Sequence, residues 1–339
     1  MKAIRVHQPG GPEAMQLEDI PTPTPGEGQA LVRLQAIGVN FIDTYKRSGL
    51  YAVPTPFTVG EEGAGVVEAV GPGVEGIRPG EVVVYSNVQG SYAEYALVPA
   101  DKLVKVPVGL DPKVAVAGML QGMTAHYLAY STYPLKAGET CLIHAGAGGV
   151  GLLLIQMAKM IGATVISTAS TEEKRALAKD AGADYALPYE GFDQKAREIT
   201  GGKGVDVVYD GVGQSTWEGS LNSLRIRGML ALYGQSSGPV APFNPQILNQ
   251  KGGLFLTRPS LWHYTQTREE LEWRAGDVMR WALEGRLKIR IGAEFPLTQA
   301  AQAHIALQGR KTTGKVLLIP DSVNSSPKGD ELTRPKGVL

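Results

Sequence analysis

Three glycines spaced as G-x-G-x-x-G, Gly146, Gly148 and Gly151, lie inside the segment GETCLIHAGAGGVGLLLIQMAK, Gly138 to Lys159. An apolar run, Thr140 to His144, feeds the cluster and a long apolar segment leaves it, which reads as strand, tight turn and helix. At this spacing the first glycine permits the turn, the second lets the backbone approach a pyrophosphate, and the third lets helix pack closely on strand. Free N–H groups and the dipole at the helix start favour the diphosphate. The chain is therefore expected to bind a dinucleotide, with Gly146, Ala147, Gly148, Gly149, Val150 and Gly151 around its phosphates.

The end of the next strand bears on which dinucleotide. An NAD site usually carries an acid there, about 20 residues on, for the ribose 2′-hydroxyl. This chain has Ser167-Thr168-Ala169-Ser170 and no acid at the strand end. Ser170 and Glu173 fit an S-x-x-E capping box, and Lys174 and Arg175 follow within the first helical turns. A cation near a helix N-terminus costs about 0.3–1 kcal/mol unless an anion sits there. A 2′-phosphate would be such an anion. Glu172 and Glu173 supply opposing charge, and the balance favours NADPH over NADH.

The elements that must hold this turn fall into two textures. Residues 1 to about 122 read as mostly β, with short runs Ala30–Ile37, Ala64–Val70, Val82–Tyr85 and Tyr92–Val98 bounded by Pro and Gly. Pro21 to Gln29 is a rigid polar connection, and Asn40 to Arg47 has room for one short helix. From about 123 to 260, strands alternate with helices. The strands are Cys141–His144, Thr164–Thr168, Tyr185–Leu187, Val205–Asp210 and Met229–Tyr233. The helices are Gly149–Ile161, Thr171–Ala181, Phe192–Thr200 and Ser215–Leu224. Strands that are apolar throughout and alternate with helices imply a parallel sheet covered on both faces. Helices are expected at Arg268 to Glu284 and Leu297 to Gln308, and a strand at Lys315–Ile319 that returns to the first unit. Residues 321–339 are polar and aperiodic, and are expected to be disordered.

The 339 residues suit about two domains, and 43% hydrophobic content suits a full core. The 33 basic and 33 acidic residues cancel, so a broad electrostatic footprint for nucleic acid or membrane is not expected. The lone cysteine, Cys141, excludes an internal disulfide and a cysteine-cluster zinc site. No apolar run reaches the ~18 residues of a membrane span, and the N-terminus lacks a signal core. A cytoplasmic protein is the simplest expectation.

Beyond the glycine segment, VNFIDTYKRSGLY (39–51), ITGGKGVDVVYDGVG (199–213), YGQSSG (233–238), LNQKG (248–252) and TRPSL (257–261) carry a specific resemblance. From residue 1 to about 320 the chain resembles the zinc-independent NADPH:quinone oxidoreductases, the zeta-crystallin-like branch of the medium-chain dehydrogenase/reductase superfamily. The resemblance implies an α/β protein. A Rossmann-type parallel-sheet domain would span 123–260. A mostly β GroES-like catalytic domain would be discontinuous, from 1–122 and 261–320. Zinc alcohol dehydrogenases carry G-H-E-x-x-G with a zinc-binding histidine. Here the spacing reads Gly60-Glu61-Glu62-Gly63-Ala64-Gly65, with Glu61 in the histidine place, and no cysteine lies in 39–43. His7, His126, His144, His263 and His304 show no ligand spacing, so no metal is expected, and His144 is expected to be packed.

The resemblance also places Asn40, Tyr45 and Tyr51 beside the nicotinamide. Asn40 offers an amide donor, and the tyrosines offer phenols that could hold or protonate the reduced oxygen, or serve as structural aromatics. By the same matching, Thr124 meets the nicotinamide side. Ser170, Lys174 and Tyr189 form a 2′-phosphate pocket, joined at the cofactor site by Arg310. Tyr233, Gly234, Gln235 and Ser236, with Pro259, Ser260 and Leu261, form loops at the ribose and nicotinamide. The activity implied is metal-free reduction of a quinone in the interdomain cleft. Reduction of an alkenal or enone double bond, or a non-catalytic NADPH-sensing or RNA-binding role, stands as the alternative. Nucleic acid finds no support in the charge. A homodimer through the edge strand Gly253–Thr257 is implied as well.

Overall fold

The computed structural model describes residues 1–321. Strands Thr140–Ile143, Thr164–Thr168 and Val205–Asp210 are buried along nearly their whole length, as continuous apolar runs in a doubly covered sheet must be. They belong to a six-stranded sheet whose order is Tyr185–Leu187, Thr164–Thr168, Thr140–Ile143, Val205–Asp210, Leu224–Leu232, Phe255–Thr257. Every pairing in it is parallel. Thr140–Ile143 comes first in the chain yet lies in the middle. The chain winds outward from it in both directions, which opens a crevice at its carboxyl end.

A seven-stranded sheet stands beside it. Its order is Ile291–Pro296, Lys315–Ile319, Gln29–Val39, Glu62–Val70, Val82–Ser86, Val104–Lys105, with Tyr95–Pro99 also on Gln29–Val39. Val316 lies opposite Val39, so the end of the described chain returns to its beginning. Lys2–Val6, between Met15–Asp19 and Phe57–Thr58, makes a small antiparallel sheet. Gly314 bridges to Gly148, and the Gly314 N–H donates to the Ala147 carbonyl at 3.0 Å, which ties the glycine turn to the strand carrying Lys315.

Helices Gly149–Ile161, Phe192–Ile199, Trp217–Ser223, Arg268–Leu283 and Ala300–Gln308 fall within the expected ranges. Several elements do not appear among the expected ones, and two of them bear on the site. One is the strand Ile291–Pro296. The other is the helix Pro112–Tyr127, which crosses residue 122. Pro112 opens that helix, and the Asp111 side chain caps it by accepting from Lys113 N at 2.8 Å. Its buried residues run through Ala115–Met119 and Gly122–Tyr127, so no polar face marks its period. It packs on Gly149–Ile161, on Arg268–Leu283 and on the strands of the seven-stranded sheet. Apart from Asp321, the tail expected to be disordered lies outside the described residues.

Candidate active site

The glycine turn is tighter than its spacing alone suggests. Its left-handed residue is Ala145, at φ 52°, and not Gly146. Gly146 is required for room: a Cβ there would lie 1.9 Å from Ser167 Oγ on the neighbouring strand. The first glycine thus serves strand packing, where the sequence reading assigned it the turn. Gly151 fits its expected role, since a Cβ would lie 2.3 Å from the Ala145 carbonyl oxygen. Gly148 caps the helix Gly149–Ile161 in ordinary extended geometry, φ −76°. A Cβ there would meet only the Ala145 oxygen, at 3.1 Å, so its remaining side faces open space. That opening and the helix N-terminus form the cradle a pyrophosphate needs.

Ala147, Gly148, Gly149, Val150 and Gly151 line one cavity with Asn40, Ser170, Lys174, Tyr189, Tyr233, Ser236 and Arg310. Gly146 does not line it. At its far end Lys174 Nζ donates to the Arg310 carbonyl at 2.5 Å. Burial, and then the nearby Arg310 charge, lower the Lys174 pKa. Neither cation has a carboxylate within 4 Å among the described residues. Two cations held together without an acid suit an anion. The helix after Ser170 is capped by Thr171, whose side chain accepts from Lys174 N, and not by Ser170 as the S-x-x-E spacing suggests. The helix starts one residue later, and Ser170 is left to the cavity.

A second cavity, of about 660 Å³, adjoins the first through Asn40, Phe41, Gln121, Val150, Gly211 and Tyr233. It gathers Tyr45, Tyr51, Thr124, Gly234, Gln235, Pro259, Ser260 and Leu261. Tyr45 and Tyr51 meet edge to face with ring centroids 5.5 Å apart. Burial, then Tyr51, push the Tyr45 phenol up to about 12, so at neutral pH it keeps its proton and can donate. The structure therefore brings every site residue expected from the sequence to the wall of this double cavity except Gly146.

Sequence reading missed how Asn40 is held. Lys315 Nζ donates to Asn40 Oδ1 at 2.8 Å and also to Glu62 Oε2, while Asn40 Nδ2 donates to Glu62 Oε2 at 2.8 Å. The Leu120 N–H donates to the other Glu62 oxygen at 2.6 Å. The side chains of Lys315 and Glu62 are fully buried. One Asn40 N–H is left for the cavities.

Asp43, one helical turn on, accepts from Asn40 N at 2.8 Å and from the Tyr92 hydroxyl at 3.0 Å. His304 Nε2 lies 2.9 Å from that hydroxyl, and Arg47 donates to His304 Nδ1 at 3.1 Å. These bonds run in one direction, Arg47 to His304 to Tyr92 to Asp43, with His304 neutral. Burial, then Arg47, lower the His304 pKa to about 3.

Glu61, in the zinc-histidine place, also lines the second cavity and is paired with Lys46, which donates to Gln89 at 3.0 Å as well. His144 is packed, with Nδ1 2.8 Å from Thr168 Oγ1 and Nε2 2.9 Å from Ser220 Oγ. Among the described residues no group of three or more His, Cys, Asp and Glu is placed to hold a metal ion. Arg258, Gln121, Tyr127 and Trp262 line the cavities without having been singled out. Arg258 lay within the TRPSL stretch, where its charge was the available signal.

A family profile described as zinc-binding dehydrogenase matches residues 149–270, and one described as alcohol dehydrogenase GroES-like domain matches residues 26–108. The quinone oxidoreductase of Pseudomonas aeruginosa is 44% identical over 323 residues, covering 94% of this chain and 99% of that one. A 2-haloacrylate reductase of a Burkholderia species is 44% identical over 333 residues, with the same coverage. The solved structure of Escherichia coli quinone oxidoreductase complexed with NADPH superposes with a TM-score of 0.93 at 43% identity, over 94% of this chain and 100% of that one. The chain belongs to the medium-chain dehydrogenase/reductase superfamily, in its zinc-independent quinone oxidoreductase branch.

Proposed function

We propose that this protein is an NADPH-dependent reductase of quinones. The observation that carries the reading is the double cavity: an open glycine cradle with two cations beyond it, continuous with a phenol-lined space beside Asn40. Gly148 to Gly151 would hold the diphosphate, and Ser170, Lys174, Tyr189 and Arg310 the 2′-phosphate. Thr124, Gly234 to Ser236 and Pro259 to Leu261 would hold the nicotinamide end. When bound, NADPH supplies a hydride. The chain's own part is to position the acceptor beside it and to meet the charge that develops on the acceptor oxygen. Tyr45 and Tyr51 present phenol hydroxyls at that wall, and the Lys315–Glu62 pair fixes the orientation of Asn40.

The similarity to a 2-haloacrylate reductase supports a second reading, reduction of a conjugated carbon–carbon double bond in the same cavity. NADPH oxidation followed spectrophotometrically over a panel of quinones and enones separates the two. In the same assay Lys174→Ala should raise KM for NADPH about tenfold while leaving KM for NADH nearly unchanged, the loss of one charge-assisted phosphate bond. Equal effects on the two cofactors would remove the phosphate assignment. A homodimer through the sheet edge Phe255–Thr257 also belongs to this proposal.

A further inference from the structure

The charges in the wall of the acceptor cavity do not balance. Glu61 and Arg258 are the ionised side chains there. Glu61 is neutralised by Lys46. Arg258 is not: no carboxylate lies within 4 Å of it among the described residues. Of its five N–H donors one is used, from Nη1 to the carbonyl of the adjacent Pro259, at a long 3.3 Å. Among the described residues the cavity wall therefore carries one guanidinium with no carboxylate partner.

That charge does not serve the cofactor's phosphates. The phosphate end has its own cations, Lys174 and Arg310, and Arg258 does not line that cavity. It lies instead with Tyr45, Tyr51 and Tyr127, close enough to Tyr45 and Tyr127 for its charge to act on both phenols. It lies in the short loop between the strand Phe255–Thr257 and the helical turn Leu261–Tyr264, and it is exposed to solvent as well as lining the cavity. A nearby cation, Lys102, lies over the Trp262 ring and has its own partner, Asp101 at 3.6 Å.

We infer that the acceptor carries a carboxylate, and that Arg258 is the specificity residue that receives it. A planar guanidinium with four free donors matches a carboxylate with two parallel hydrogen bonds, which an ammonium cannot. The phenols and apolar wall around it accept the conjugated part of the molecule. The inference rests on the reductase reading for what the carboxylate is attached to, and not for the anion site itself.

The test uses the full chain saturated with NADP⁺. Calorimetric titration with benzoate and with benzamide compares an anion with its neutral isostere. Benzoate should bind at least about tenfold more tightly, and Arg258→Gln should erase the difference. Turnover is then compared for a naphthoquinone bearing a carboxylate and for its methyl ester. The ratio of their kcat/KM values should favour the acid about tenfold in the wild type and fall to near one in Arg258→Gln, with Arg258→Lys between. A wild type that does not prefer benzoate, or an Arg258→Gln that loses both quinones equally, overturns the carboxylate site. The second outcome would mean that Arg258 acts on the oxygen being reduced. Benzoate selectivity that depends on Arg258, without turnover of either quinone, would overturn the quinone reading and leave the site standing.

Discussion

Asp43 shows how a residue next to the chemistry can govern stability without touching a ligand. It is fully buried, its Oδ1 has no partner among the described residues, and burial raises its pKa from 3.8 to about 7. A raised carboxyl binds its proton in the folded state when the unfolded chain has released it. Its contribution is therefore complete below pH 4, falls as pH rises to about 7, and is absent above. Burial also lowers His304 to about 3 and His126 to about 4, and these run the opposite way. Comparison of Asp43→Asn with the wild type cancels them. In denaturant melts the variant's stability relative to wild type should rise by about 1.4 kcal/mol per pH unit between pH 4 and 7, then level. Parallel curves would show that Asp43 is ionised throughout. None of this was legible in the sequence: Asp43 and His304 lie on separate helices and Tyr92 on a loop, and only the fold brings them together. The place of Lys174 in the first cavity was legible, because it sits a short step after an acid-free strand end, whereas Arg310 came only through the resemblance. Arg258 was not, since only the folded wall shows that it lacks a carboxylate partner among the described residues.

Elements were legible where burial was one-sided or complete in a strand. Thr164–Thr168, Tyr185–Leu187, Val205–Asp210 and Lys315–Ile319 have the bounds expected of them. The helix Pro112–Tyr127 was missed because two helices and the seven-stranded sheet bury it from different sides and erase its amphipathic period. The helix after Ser170 began one residue late because Thr171 competes for the cap. The Gly149–Ile161 helix was found, yet its entry glycines divide their tasks differently from the motif. That division predicts a split. Gly151→Ala drives a Cβ into backbone and should lose about 1–3 kcal/mol or more in thermal or denaturant unfolding. Gly148→Ala has an allowed φ and nearly open space, so its melting should stay close to wild type. It fills the cradle instead, and KM for NADPH should rise about tenfold or more. If Gly148→Ala unfolds as easily as Gly151→Ala, or binds NADPH normally, the cradle is misplaced.

At the scale of the molecule, a net charge of zero conceals cations at both ends of one cleft, and the outer faces hold a further asymmetry. The six-stranded sheet ends at Phe255–Thr257, which pairs on one side with Leu224–Leu232 and on the other with nothing among the described residues. Phe255 is 57% exposed, and Ile226, on the neighbouring strand Leu224–Leu232 and against Gly252, is 72% exposed. The edge strand is short, three residues, but it carries no lysine or proline and leaves its outer backbone groups unpaired among the described residues, with large apolar side chains nearby. Two copies related by a twofold axis would pair these edges antiparallel, join the sheets and cover both side chains. Sedimentation at micromolar concentration should give twice the 36.0 kDa chain mass. Phe255→Glu places facing carboxylates at the seam and should shift the mass to one chain, with the NADPH cradle intact because Phe255 lines neither cavity. A wild type that sediments as a single chain, or a Phe255→Glu that stays paired, would place any self-association elsewhere. The edge strand runs straight into Arg258, so a pairing here would also fix the wall of the acceptor cavity, and the dimer-breaking variant should bind benzoate less selectively than wild type.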